Sequence, residues 1–163
     1  MAYAVVRTDN LAGTDVRGQL VSVKYMGADG QTPTVIENGN VLRIGTLMTG
    51  EREIYVGAAP TASDNLDDIV LIASPEVMYD ERKRNLDDYI NEEGKTCRGY
   101  HIHAGDTFSV TAEALSGSPA AGSAVTLAAS TKLAVGGAGT PIGRIVAVDV
   151  VGRHTYYAIK VGE

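Results

Sequence analysis

The amino-acid sequence predicts a mainly β protein, a small β-barrel or sandwich with one short amphipathic helix carried in an insertion. Three observations lead there. The chain has no Trp, one Phe (Phe108) and eight Tyr, so small aliphatic residues supply most of its 44% hydrophobic content. Such residues, the branched ones above all, suit the pleated surface of a sheet. Nineteen of the 163 residues are Gly, above the roughly 7% average, as a chain with many tight turns requires. Short apolar runs also recur at roughly 8–12-residue intervals, the rhythm of strands in small barrels and sandwiches.

Along the chain, residues 1–16 read as an extended N-terminal arm, because the apolar stretch Tyr3 to Val6 passes straight into polar turn residues. Residues 17–163 then form a single β-rich domain with an insertion near 75–99. Leu20 to Tyr25 alternates with period two, which puts Val21, Val23 and Tyr25 on one face. Thr34–Glu37 and Val41–Ile44 flank Asn38-Gly39-Asn40, and an Asn-Gly pair accepts the positive φ of a tight turn. Glu53–Val56 and Asp68–Ala73 are the next strands, separated by a small, polar loop containing Pro60. Leu86, Tyr89 and Ile90 stand at helical spacing with acids opposite and Gly94 as a stop, so a helix is expected over 84–93. The chain then returns to β at Gly99–His103, Thr107–Thr111, Val125–Leu127 and Lys132–Val135. Gly143–Val150 pairs with Thr155–Val161 across Gly152-Arg153.

A net charge of −6 argues against a phosphate-binding surface, since nucleic-acid affinity comes from clustered Lys and Arg. The run Arg82-Lys83-Arg84 sits among acids, as a solvated face does. One cysteine, Cys97, removes the disulfide-scaffold class. No apolar run approaches the ~18 residues that span a bilayer, and Met1 to Arg7 lacks the pattern of a secretory leader. No membrane partner is expected, and synthesis is expected in a reducing cytoplasm.

Candidate chemistry is sparse. His101-x-His103 on a strand would project two imidazoles from one face, toward a metal that Cys97, Asp106 and His154 could complete. The spacing supplies no second ligand pair, and two histidines on a solvated strand is the plainer account. Gly136 to Gly143 is glycine-rich but lacks the Gly-Lys-Ser/Thr ending of a phosphate loop. Asp67-Asp68, Asp87-Asp88 and Glu92-Glu93 are paired carboxylates on polar segments. Cys97 with His101 or His103 matches no nucleophile signature. No catalytic residue, metal or cofactor is therefore assigned.

Several stretches together resemble the head decoration, or capsid cement, proteins of tailed bacteriophages of Gram-positive hosts. They are Val5–Asp9, Ile36–Val41, Gly50–Tyr55, Asp68–Glu76 with Met78–Glu81, Gly105–Thr111, and the closing Gly143–Val146 with Tyr156–Ile159. The resemblance implies a virion structural protein, not an enzyme. Such a protein binds the outer capsid surface and stabilises it by bridging major capsid subunits, with self-association into a trimer by analogy. It implies the major capsid protein as partner, and the arm residues Ala2, Tyr3, Ala4, Val5, Val6, Arg7 and Thr8 as a capsid-binding segment added to a sheet edge. Two other classes fit the same residues: another virion part, such as a head-completion or tail protein, and a displayed module that binds carbohydrate or a host surface.

Overall fold

A computed structural model describes residues 3–8, 19–80, 82, 85–139 and 141–162. Among these residues twelve strands follow in order: β1 (Val6–Arg7), β2 (Leu20–Tyr25), β3 (Val41–Leu47), β4 (Ile54–Ala58), β5 (Ile69–Ile72), β6 (Cys97–His101), β7 (Thr107–Val110), β8 (Leu115–Ser116), β9 (Ala124–Ala128), β10 (Ser130–Val135), β11 (Pro141–Val151) and β12 (His154–Val161). Five of them close a barrel in the order β2-β4-β3-β5-β6, and the other seven form a sheet in the order β1-β7-β12-β11-β9-β10-β8. All barrel pairs are antiparallel except β2 with β4.

The apolar alternation explains how the two layers meet. Neighbouring strand residues point to opposite faces. Val41, Ile69 and Leu71 therefore leave the barrel wall outward and join Phe108, Val110, Val125, Leu133, Ile145 and Ile159 in a core between barrel and sheet. Leu42, Val70 and Ile72 point inward and fill the barrel with Val23, Ile36 and Cys97. All four residues of β5 are fully buried, which is why its sequence reads as an unbroken apolar run. Val21 and Tyr25 pack against the barrel core on the same face as Val23, as their alternation predicts. Gly57 keeps the barrel narrow: a Cβ there would meet Val23 Cγ2 at 2.7 Å and Leu42 Cδ1 at 2.8 Å.

Two expectations are corrected. The helix over 84–93 is absent: the described part holds only a single 3-10 turn at Leu86–Asp88, and other 3-10 turns stand at Leu66–Asp68 and Ala112–Ala114; Arg84 lies outside the described residues. Long-range bonding outcompetes the local spacing here. Asn91 bridges Ile36 through two backbone hydrogen bonds of 3.0 Å, which holds the chain extended, and Leu86 is left 45% exposed.

The turn at Asn38-Gly39 forms, with Gly39 at φ +86°, but the strand expected before it, Thr34–Glu37, does not. Val41–Leu47 pairs with β4 and β5, while Thr34–Glu37 contributes only the single bridge at Ile36.

Over residues 3–8 the expected N-terminal arm is extended but packed into the domain. Ala4, Val5 and Val6 are buried, and β1 pairs with β7 through Val6–Val110 and Arg7–Ser109. Small apolar side chains beside an open sheet edge gain more from burial than from solvent. Met1, Ala2 and residues 9–16 of the expected arm lie outside the described residues.

Candidate functional site

The sequence candidates for chemistry end up in three places. His101 closes β6 half-buried, and its backbone N–H donates to Gln19 O at 2.8 Å. Its pKa is lowered, chiefly by burial and then by the nearby His103, against the opposing influence of the Asp67 carbonyl and the Asp67 and Asp68 carboxylates. His103 is exposed. Its backbone N–H donates to Asp106 Oδ2 at 2.9 Å, while its Nδ1 stands 3.9 Å from the same oxygen. Asp106 thus clasps the turn between β6 and β7. The two histidines do come together, but no cluster of three or more His, Cys, Asp or Glu able to hold a metal occurs among the described residues.

Cys97 faces the barrel interior, where its thiol contacts Lys95 O at 3.6 Å. Burial pushes that thiol up to about 11, so it is protonated at neutral pH. A nucleophilic cysteine needs the opposite shift.

His154 lies with neither of them. Its Nε2 approaches Asp87 Oδ1 at 3.4 Å, and Arg153 Nη2 meets Asp87 Oδ2 at 2.7 Å. The Arg7 guanidinium lies 5.4 Å from the centre of the Tyr156 ring, and Tyr3 donates its N–H to Asp87 O at 3.1 Å. The Tyr156 hydroxyl is raised in pKa, first by burial and then by the carboxylates of Asp87 and Glu76, against Arg7. This clasp ties β1, the 85–91 segment and the β11–β12 hairpin to one another. Nothing local in the sequence marks it, because its members are brought together from three distant segments.

A second fastening holds the 74–91 segment down. Asn38 Nδ2 donates to Ser74 O at 2.8 Å, and Asn38 Oδ1 accepts from Ser74 N at 3.0 Å. Asn91 Nδ2 donates to Asn38 Oδ1 and to Ile36 O, and Tyr89 Oη donates to Asn91 Oδ1. Buried amides with partners on all sides specify one arrangement of the chain. Beside this latch, grooves of about 520 and 570 Å³ flank Val77 and Tyr79. Tyr79 is 93% exposed at their rim.

Among the described residues, the largest run of uncovered apolar side chains lies elsewhere, on the far half of β11. Val146, Val148, Val150 and Val151 are between 42% and 74% exposed. β9 covers the outer edge of β11 only at Pro141, Gly143 and Arg144. The sequence shows this stretch as a strand but not that its edge is open, because openness depends on where β9 ends.

In comparisons with known proteins, no family model, no curated protein and no solved structure matches the chain.

Proposed function

We propose that this chain is a virion structural protein that decorates the outer surface of a tailed-phage capsid and stabilises it by bridging major capsid subunits. The observation that carries the reading is the uncovered valine row of β11 on an unpaired sheet edge, in a chain whose turn-and-strand motifs resemble capsid cement proteins. A sheet edge with apolar side chains is a site for adding another protein's strand. Val77 and Tyr79 offer a second exposed apolar patch on a different element, and bridging needs two contact surfaces. The buried side chains of Ala4, Val5 and Val6 are already used within the domain. In this reading a capsid contact by the N-terminal segment runs through the half-buried Tyr3, Arg7 and Thr8.

The test is direct. Purified protein is mixed with heads that lack it, and the particles are imaged. Added density on the outer face, in a fixed position on each capsid subunit cluster, is expected; heads that stay bare overturn the proposal. A second reading, a displayed carbohydrate- or host-surface-binding module, draws on Tyr79 standing beside the two grooves, since exposed aromatic rings stack on sugars. Reproducible glycan-array binding that Tyr79→Ala abolishes would favour it.

A further inference from the structure

The open edge of β11 is specific enough to say what kind of strand it accepts. β12 accompanies β11 along its length, and Val151 faces His154 across Gly152-Arg153. The closing pair of such a two-residue hairpin exchanges its backbone hydrogen bonds, and bonded and non-bonded pairs then alternate. The backbone of Asp149 therefore turns toward β12, while the N–H and C=O of Val148 and Val150 turn outward. Further back, Ile145 also turns outward, but the loop before β9 occupies it: Ile145 N donates to Ser123 O at 2.9 Å and Gly122 N donates to Ile145 O at 2.7 Å. Between Ile145 and the hairpin turn, no strand among the described residues pairs with this edge.

A second copy of the chain fits the edge poorly. Two-fold antiparallel pairing centred on Asp149 would set one Asp149 directly opposite the other, and like charges at that position repel. Centring on Val148 avoids this but brings Val151 of each copy against Ile145, whose outward groups Gly122 and Ser123 already fill. Centring on Val150 leaves only the short overlap from Val148 to Gly152. Asp149 thus guards the edge against self-pairing, as charged residues on exposed strands commonly do. The same carboxylate complements a cation.

We propose that Val146–Val151 receives an extended strand of another protein that carries Lys or Arg opposite Asp149 and apolar residues opposite Val148 and Val150. The identification of that protein as a coat subunit rests on the adhesion reading above; the binding mode rests on the edge alone. Alternation puts the cation on the Asp149 face and the apolar pair on the valine face, so the recognised pattern is apolar-basic-apolar.

The probe is a synthetic peptide, Thr-Val-Thr-Val-Lys-Val-Thr-Val-Thr, and its counterpart with Glu at the centre. Each is titrated into the isotope-labelled full chain by NMR. Amide shifts concentrated at 146–151 are expected, with the Lys peptide favoured by up to about fivefold, the scale of one exposed ion pair. Asp149→Lys, an exposed substitution, reverses the preference. Shifts elsewhere, no shifts, or equal response to both peptides overturn the inference. So does a sedimentation measurement in which the chain dimerises and Val148→Lys abolishes the dimer, since the edge then belongs to a second copy. Decorated heads together with a silent edge would leave the adhesion reading standing and remove only this one; bare heads with a Lys-selective edge would do the reverse.

Discussion

If β5 is a wall shared by two cores, truncating it on either face must destabilise the whole molecule at once. Leu71 points between barrel and sheet, Ile72 points into the barrel, and both are fully buried. Replacing each by Ala removes buried methyl and methylene groups and leaves a cavity, an effect of about 2–5 kcal/mol in well-packed cores. Taking ~3 kcal/mol for each, and ~2–4 °C per kcal/mol for a domain of this size, each variant melts roughly 6–12 °C below the parent. The assay is urea and thermal unfolding followed by far-ultraviolet dichroism and by tyrosine fluorescence. The eight tyrosines include Tyr25, packed against the barrel core, and Tyr157, packed against the other, so their combined fluorescence senses both, and no Trp obscures it. One transition, coincident by both probes and displaced by either substitution, is expected. The reasoning is refuted if two transitions appear and Ile72→Ala moves one while Leu71→Ala moves the other. Barrel and sheet would then be separate folding units that merely touch.

Three further outcomes follow from single residues. Gly57→Ala forces a methyl group against Val23 at 2.7 Å and Leu42 at 2.8 Å and should destabilise by about 1–3 kcal/mol, the usual effect of overpacking; an unchanged urea midpoint would contradict the narrow barrel. Cys97, with its thiol held at about 11, should resist alkylation at about pH 8, near the pKa of an ordinary thiol, and react promptly once unfolded in urea; prompt native labelling would place it outside the barrel. His101 has a folded pKa below its ordinary 6.5, so the unfolded chain binds its proton first. Its contribution to stability is present above pH 6.5 and is lost as pH falls through the lower folded value. His101→Gln should flatten stability between about pH 7 and pH 5, and an unaltered slope would exclude His101 as its source.

Strands are legible because their signals are local. Period-two alternation marks β2, the unbroken apolar run marks β5, and Gly152-Arg153 between two apolar segments marks the closing hairpin. The helix expected over 84–93 fails because three residues at helical spacing are a weak local signal. Asn91 instead finds Ile36 and Asn38, more than fifty positions away, and a buried amide satisfied by distant partners outweighs one amphipathic turn. The packing of the N-terminal segment is hidden for a related reason: Tyr3 to Val6 is too short to show periodicity, and only β7 reveals that it leads into an edge strand.

The same division governs the functional surface. Between Val148 and Val150, Asp149 looks in the sequence like an ordinary solvated position. It acquires meaning only because β9 leaves β11 after Arg144 and the strand runs on to Val151 with that edge unpaired. A strand covered on both edges would make Asp149 a mere solvated side chain. Uncovered, it is the one charge among four exposed valines, and it decides both which strands the edge repels and which it admits.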